Sequence, residues 1–367
     1  MRKVSRRELL RAGGVGAAAV VGGGLLGRVG RAEEHRHGAA AGQGTGHGEA
    51  TAHGGMGTIG TVDHARNGFD PSEILYDWDL GEVSRRGDQT VREYRIVAID
   101  KEVEIAPGVF FPAWTYNGSI PGPTLRATEG DRLRIEFVNG GAHPHTIHFH
   151  GLHSARMDGV PGIGAGDVMP GDSTVYEFDA FPFGCHLYHC HSAPLKRHIH
   201  KGLYGAFVID PDPARHPDQA DAARRRSYEG AREANVREMV MVMNGFDTTF
   251  DGENEVYAVN SIAFGYQVAP IRVGNDEDIR VYLVNLTEFD PINSFHLHGN
   301  FFDYYDTGTS LVPTVHTDTI MQCQAQRGIL EFNFRGYEPG MHMFHAHQTE
   351  FVELGWMGFF DVVEGRP

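Results

Sequence analysis

Cysteine is scarce in this chain, with three residues among 367. Three thiols are too few for a disulfide scaffold, so the fold must be held by ordinary hydrophobic packing. Cys185 and Cys323 could form one bond in an oxidising compartment or could remain free thiols, and both alternatives stay open. The third, Cys190, stands between two histidines and has a different role, described below.

Positive charge is also in deficit, because 32 Lys and Arg face 48 Asp and Glu, for a formal net charge of −16. An acidic surface disfavours nucleic acids and anionic membranes as partners and tolerates neutral or cationic substrates. The hydrophobic fraction of 41% is ordinary for a soluble protein with a core. The 48 glycines suit a turn-rich all-β structure better than a helical one.

The apolar stretch at the N-terminus is too short and too rich in glycine for a stable membrane span. It follows a basic segment with paired Arg6 and Arg7, which resembles a twin-arginine export signal. We predict a signal peptide over residues 1–32, export to the periplasm or the outside of the cell, and no membrane span in the mature chain. An uncleaved anchor is the alternative. Residues 33–68, rich in Gly, Ala and His, predict a disordered linker.

Short alternating segments separated by turns fill the rest of the chain, which indicates β-strands. Residues 132–139 alternate cleanly between apolar and polar side chains, and residues 278–285 repeat the pattern. Each segment precedes a His-x-His-Gly motif by a similar interval, which indicates an internal repeat of a whole domain. We predict two copies of one β-sandwich, over residues 69–211 and 237–367, joined by a polar linker at 212–236 with one short helix.

Histidine is unusually abundant, with 22 copies. A single His-x-His pair on a strand is more often surface decoration than a metal site. Four pairs, two in each repeat, instead predict a shared metal cluster, and eight imidazoles exceed the four or so ligands of a zinc site. The cluster would hold three copper ions. The pairs are His148 and His150, His189 and His191, His296 and His298, and His345 and His347.

Cys190 lies at the centre of the second pair and offers a thiolate. Residues two apart on a strand share a face, so His145 and Cys190 should point away from the paired histidines and meet each other. Two imidazoles and one thiolate form a blue-copper site with a weak axial ligand. The second imidazole is His198 or His200. We favour His198, which puts Leu203 at the axial position, where the lack of a sulfur ligand should raise the copper potential.

The second half lacks a matching blue-copper site. Ala346 stands where Cys190 stands in the first half, and Asn293 stands where His145 stands. The second domain is therefore expected to supply cluster ligands but no electron-accepting site.

These motifs resemble the two-domain multicopper oxidases, which are small relatives of laccases, and specifically the subgroup with its type 1 copper in domain 1. The resemblance covers about residues 89–364. It rests on residues 143–151, 188–191, 296–299 and 343–347, with a further likeness at 116–123. The interval from Cys190 to His198 is longer than in most laccases and is closer to that of copper nitrite reductases.

The resemblance implies an all-β chain with two tandem cupredoxin-like Greek-key β-sandwiches, assembled as a ring-shaped homotrimer. The cluster of that family lies between domain 1 of one subunit and domain 2 of the next. By position, His148 and His296 would bind the type 2 copper. With one type 1 ion, each subunit would hold about four copper ions. The type 3 pair would be bound by His150, His189, His191, His298, His345 and His347.

The implied reaction couples one-electron oxidation of a reducing substrate at the type 1 copper to the reduction of dioxygen to water at the cluster. Asp158 resembles the family's acid near the type 2 copper and is a candidate proton donor, although an Asp before Gly is also typical of a plain turn. Glu350, three residues after His347, is a second relay candidate. Phenols, aromatic amines, metal ions and a small redox protein all remain open as electron donors.

Two other functions fit parts of the sequence. A copper nitrite reductase shares the trimer of two-cupredoxin subunits, but it has no histidine directly after the type 1 cysteine and no complete His-x-His pairs. His150, His191 and His347 are all present here, which favours oxygen reduction. A copper store or electron carrier would leave the four pairs unexplained.

Overall fold

The computed structural model describes residues 58–367, and strands dominate its regular structure. In chain order the strands are β1 Trp78–Asp79, β2 Glu82–Arg86, β3 Gln89–Ala106, β4 Val109–Tyr116, β5 Thr124–Thr128, β6 Arg132–Asn139, β7 His148–Phe149, β8 Ser173–Asp179, β9 Gly184–His189, β10 Tyr204–Asp210, β11 Val236–Phe246, β12 Val256–Val259, β13 Ile271–Gly274, β14 Asp278–Asn285, β15 Ile292–Leu297, β16 Phe302–Asp306, β17 Val315–Thr317, β18 Thr319–Cys323, β19 Arg327–Asn333, β20 Gly340–His345 and β21 Met357–Val363.

The α-helices are all short. They are α1 His64–Asn67, α2 Pro71–Ile74, α3 Leu195–His200, α4 Ala220–Arg226, α5 Tyr228–Glu233, α6 Gly265–Val268 and α7 Thr349–Glu353, with 3-10 turns at Ala155–Met157 and Pro217–Gln219. Within the described residues, no helix is both long and apolar enough to cross a membrane.

The first half of the chain forms two sheets. One has the order β2-β3-β6-β8, with β4 folded back onto β3, and the other has the order β1-β5-β10-β9-β7. Along β6, Leu133, Ile135 and Phe137 are buried while the alternate side chains stay half-exposed, as the sequence predicted. These three side chains enter a core lined by both sheets, which makes a β-sandwich.

The second half repeats this arrangement. Its sheets have the orders β12-β11-β14-β19-β16-β17 and β13-β21-β20-β15-β18. In the first half β3 runs parallel to β6, and β6 runs antiparallel to β8. In the second half β11 likewise runs parallel to β14, and β14 runs antiparallel to β19. The match extends to register, because His148 pairs with His189 and His296 pairs with His345. The predicted pair of all-β sandwiches is therefore confirmed.

A third core lies between the two sandwiches. Leu187 and Val208 of the first half pack with Val242, Tyr282 and Val284 of the second. Strand β14 is therefore buried on both faces, although its alternating sequence predicted a half-exposed strand. The reason is that its outer face covers the neighbouring domain instead of meeting water.

A buried ion network crosses the same interface. The Glu238 carboxylate accepts hydrogen bonds from Arg126 at 2.8 Å, from Arg280 at 2.9 Å and from the Tyr282 hydroxyl at 2.8 Å. The Asp210 carboxylate accepts a further hydrogen bond from the Arg126 guanidinium. Breaking such a network leaves an uncompensated buried charge, so it fixes the relative placement of the two domains.

Two predictions about the connecting segments need correction. The polar linker at 212–236 contains two helices and a 3-10 turn where one short helix was expected, because Ser227 ends α4 and its side chain caps α5. The disordered linker at 33–68 is wrong for its last part. There α1 is docked onto β3 by the Asn67 amide, which makes two hydrogen bonds of 2.9 Å to the Glu104 backbone. The predicted signal peptide and the rest of that linker lie outside the described residues, and the domain bounds stay a prediction.

Candidate copper sites

The first histidine-rich edge is built by β7 and β9, which pair His148 with His189. Phe149 and Tyr188 alternate with these histidines and are buried in the domain core, which aims the imidazoles away from it. A continuous strand from His145 to His150 was expected, but β7 has only two residues. His145 instead forms an isolated bridge with Val168 and faces the opposite side from His148, as predicted.

His145, Cys190 and His198 converge on one buried point. The Cys190 Sγ lies 3.2 Å from the His198 Nδ1 and 3.9 Å from the His145 Nδ1, and the two nitrogens are 3.2 Å apart. A trigonal metal with bonds of about 2.0–2.3 Å needs ligand atoms roughly 3.5–4 Å apart, close to these separations. His200 is directed elsewhere, since its Nε2 accepts the Asp247 backbone N–H at 2.9 Å.

Burial tunes the protonation of this group. Desolvation lowers the pKa of His145 to about 3 and that of His198 to about 4, so both rings are neutral at physiological pH. Desolvation also raises the pKa of the Cys190 thiol in the metal-free chain. The Thr146 backbone N–H lies 3.3 Å from the sulfur and would stabilise a thiolate once a metal withdraws the proton.

Leu203 closes the far side of this group. Its backbone carbonyl accepts the Cys190 N–H at 2.9 Å, and its side chain is fully buried in the same core. Leucine offers no sulfur ligand, and the axial placement of its side chain stays a prediction.

The four paired histidines of the first half form a second group. The Nε2 atoms of His150 and His189 are 2.9 Å apart, and the His148 ring lies 5.4 Å from the His191 ring. All four line one cavity of about 230 Å³, whose opposite wall includes Gln324 of the second domain. The Nδ1 of His189 contacts the Cys190 carbonyl at 2.8 Å, which leaves Nε2 free for a metal. Desolvation lowers the pKa of His150 to about 3 and that of His189 to about 4.

Asp158 contacts this group directly. Its carboxylate lies 2.8 Å and its backbone carbonyl 2.9 Å from the Nδ1 of His148. The same carboxylate lies 3.5 Å from the Nε2 of His153, a residue that sequence reasoning missed. The signal was present, because His153 follows the His-x-His-Gly motif by two residues. The Asp158 carboxylate therefore lies between His148, a member of the paired histidines, and His153, which belongs to no pair.

The second domain carries a matching histidine group. The Nε2 atoms of His298 and His345 are 2.9 Å apart, and the His296 ring lies 5.4 Å from the His347 ring. The Nδ1 of His345 contacts the Ala346 carbonyl, and the Nδ1 of His296 contacts the Thr319 hydroxyl at 2.8 Å. Both leave Nε2 available, as in the first domain.

A tryptophan occupies the place of the missing blue-copper site in the second domain. Trp356 is fully buried, and its carbonyl accepts the Ala346 N–H as the Leu203 carbonyl accepts that of Cys190. Its indole N–H donates to Asn293 Oδ1 at 3.0 Å. The indole N–H and the Asn293 side-chain oxygen are thus hydrogen-bonded to each other at the position where the first domain brings together two imidazoles and a thiol.

The remaining candidates are Glu350 and the two other cysteines. Glu350 is exposed in α7, and among residues 58–367 no hydrogen bond or ion pair joins its carboxylate to a histidine. Cys185 is buried and Cys323 exposed, and both are free thiols. Within the described chain no ring contact joins the histidine group of one domain to that of the other.

Comparison with known proteins identifies the family. Two multicopper oxidase profiles match residues 99–214 and 233–366. A solved multicopper oxidase is 54% identical, covers 83% of this chain and 100% of its own, and superposes with a TM-score of 0.74. The blue copper oxidase of Nitrosomonas europaea, 23% identical over 74% of this chain and 86% of its own with a TM-score of 0.61, shares the fold.

Curated relatives include copper nitrite reductases. That of Neisseria gonorrhoeae is 27% identical over 65% of this chain and 60% of its own length. A probable nitrite reductase-hydroxylamine oxidoreductase fusion protein of Kuenenia stuttgartiensis is 29% identical over 72% of this chain and 30% of its own length. The chain thus spans less than two thirds of these relatives. With two family profiles covering most of its length, the chain belongs to the multicopper oxidases.

Proposed function

We propose that this protein oxidises a reducing substrate one electron at a time and uses the electrons to reduce dioxygen to water. The observation that carries the proposal is the position of Cys190 between His189 and His191. One peptide bond on each side joins the thiol-bearing residue to two members of the paired-histidine group. A short covalent path therefore links the buried thiol site to the histidine cavity.

The donor sets fit copper. Neutral imidazoles and a thiolate are ligands that copper accepts, whereas magnesium and calcium prefer oxygen. The two Nε2 atoms of His150 and His189, 2.9 Å apart, present lone pairs to each other unless a cation or a proton lies between them. Copper, when bound, would supply the one-electron steps at the thiolate and the multi-electron reduction of dioxygen at the histidine pairs.

The type 1 assignment follows the grouping of these residues, and the type 2 and type 3 assignments follow the resemblance to the family by motif position. His145, Cys190 and His198 would hold the type 1 ion, with Leu203 as the apolar axial neighbour. His148 and His296 would hold the type 2 ion. The type 3 pair would be held by His150, His189, His191, His298, His345 and His347, giving about four copper ions per chain.

A homotrimer would complete the cluster. Each chain offers two separate groups of four histidines, and the second group stands at an open sheet face where Met321 is 60% and Met341 is 52% exposed. Apolar side chains around an incomplete metal site favour an interface with another copy of the chain. Domain 1 of one subunit would then meet domain 2 of the next.

Asp158 is the proposed proton donor, because its carboxylate lies 2.8 Å from the Nδ1 of His148 at the rim of the cavity. Glu350, exposed three residues after His347, is the second proposed relay. For the electron donor we propose a phenol, an aromatic amine, a metal ion or a small redox protein. We also propose export through the twin-arginine-type signal.

Nitrite reduction is the second candidate, favoured by the curated relatives. His150, His191 and His347 weigh against it, because they complete pairs that a single type 2 ion does not need. The test is oxygen consumption by the copper-loaded protein with a phenol or cuprous ion as donor and nitrite as competitor. Oxygen uptake with about four copper ions per chain supports the oxidase. Nitric oxide release without oxygen uptake, with about two ions, would establish the reductase instead.

A further inference from the structure

Lys201 is a buried cation beside the thiol site. It is 5% exposed and directly follows α3, the helix that carries His198. Its Nζ donates to the Pro112 carbonyl at 2.5 Å, and no carboxylate of residues 58–367 forms an ion pair with it. Burying an ammonium without a carboxylate is costly, and desolvation lowers the pKa of Lys201 to about 8. The group is therefore still mostly charged at neutral pH.

Three aromatic rings surround this ammonium. The Nζ lies 4.5 Å from the ring centre of Phe250, 5.2 Å from that of Phe111 and 5.9 Å from that of Trp114. Ring faces attract a cation, which offsets part of the lost hydration. The cage holds the positive charge at a fixed place; Phe111 and Trp114 are buried, and Phe250 is 52% exposed.

Trp114 connects this cage to the thiol site. Its ring centre is 4.8 Å from that of His198 and 5.2 Å from that of His145. Because 5.9 Å separates the Lys201 Nζ from the Trp114 ring and 4.8 Å separates that ring from His198, the charge lies within about 11 Å of the His198 ring. Water is largely excluded from the space between them, since Trp114 is 7% exposed.

We propose that the Lys201 ammonium raises the reduction potential of the copper held by His145, Cys190 and His198. A fixed positive charge favours the cuprous ion, which carries one charge fewer than the cupric ion. If the separation is taken as the distance of about 11 Å to the His198 ring, an effective dielectric constant of about 20 gives roughly a tenfold change in the cuprous-to-cupric ratio by Coulomb's law. This inference deepens the proposed function and rests on its type 1 site.

The other charges nearby are exposed and therefore screened. Arg197 lies 5.5 Å from the same Trp114 ring, but its side chain faces solvent. Asp100 and Asp167 are also exposed. Interactions of such groups are weakened by water and salt, whereas a buried charge keeps its effect. Lys201 is thus the cation on this side of the site that should matter most.

The experiment compares Lys201→Gln with Arg197→Gln in the full-length, copper-loaded protein. Each substitution removes one positive charge beside the Trp114 indole, and glutamine at 201 keeps an N–H donor in place of the ammonium. The measurement is a redox titration followed by the blue thiolate–copper absorption band. We expect Lys201→Gln to lower the cuprous-to-cupric ratio about tenfold, equivalent to about 59 mV for one electron. Arg197→Gln should change it less than about twofold, and Lys201→Arg should keep the wild-type potential.

The possible outcomes distinguish a failure of the Lys201 proposal from a failure of the proposed type 1 site. A normal blue band with an unchanged potential in Lys201→Gln would overturn the role of Lys201 and leave the proposed function intact. An equal shift in Arg197→Gln would also overturn it, because screening would then not distinguish the two cations. A wild-type protein without a blue band would refute the type 1 site itself, and the inference would fall with it.

Discussion

Replacing Asp158 with alanine should weaken metal binding at His148 without destroying the site. The Nδ1 of His148 is hydrogen-bonded to the Asp158 backbone carbonyl at 2.9 Å, and the Asp158 carboxylate lies 2.8 Å from the same atom as a charged neighbour. The substitution removes the carboxylate and keeps the backbone carbonyl. The ring should therefore retain its tautomer, with Nε2 free for a metal, and lose mainly the basicity that the carboxylate provides.

The size of the effect follows from what remains. Loss of an outer-shell partner of a metal-binding histidine typically costs about 10–100-fold in metal affinity or activity. Because the backbone carbonyl still holds His148, we expect the lower end, about tenfold, or about 1.4 kcal/mol. The reaction itself should suffer more than the affinity, since the variant also lacks the proposed proton donor.

Asp318 provides the matched control in the repeat. Its backbone carbonyl lies 3.0 Å from the Nδ1 of His296, but its carboxylate is 3.9 Å away, too far for a hydrogen bond. Copper affinity, measured by competition with a chelator, should fall about tenfold in Asp158→Ala and less than about twofold in Asp318→Ala, whose carboxylate reaches His296 through the Thr319 hydroxyl. Equal losses in both variants, or no loss in Asp158→Ala, would refute the reasoning.

Three further outcomes are expected from buried groups. The pKa values of His145 and His198 fall from 6.5 to about 3 and about 4 on folding. Below pH 6.5 these two histidines therefore bind protons in the unfolded metal-free chain and stay neutral in the folded chain. As the pH falls, the free energy of unfolding of the metal-free protein should drop by up to about 1.4 kcal/mol per pH unit for each such histidine. Urea unfolding at several pH values checks this, and a flat profile would contradict it. Glu238→Gln should lower the free energy of unfolding by about 3–5 kcal/mol because two arginines lose their shared carboxylate, whereas Glu136→Gln in an exposed pair should cost under about 1 kcal/mol. Trp356→Ala should cost about 3–5 kcal/mol and leave the blue band unchanged, since the cavity opens in the other domain; a shifted band would contradict the separation of the two sites.

Local patterns were sufficient to predict much of this molecule. The alternation of residues 132–139 predicted β6 because side chains two apart meet the same surface, and the same rule put Cys190 opposite His189 and His191. Repetition of the His-x-His motif in two halves predicted both histidine groups. The asymmetry at Asn293 and Ala346 predicted that the second domain has no thiol site.

Features that depend on contacts distant in sequence were harder to predict. Trp356 fills the space left by the absent thiol site, yet only the register of β20 and β21 brings it beside Ala346. The cage around Lys201 draws Phe250 from the other domain. Glu350 was proposed from its spacing to His347; it lies exposed in α7, and its role stays a prediction.

Mixing two inactive variants tests whether the cluster is shared between chains. One variant carries His189→Ala in the first domain and the other carries His345→Ala in the second, so neither can build an intact cluster alone. If the proposed trimers are reassembled from an equal mixture, about one interface in four pairs two undamaged halves. The account predicts that oxygen uptake and cluster copper return to about one quarter of the wild-type level. No recovery, in mixtures shown to contain hybrid trimers, would contradict it.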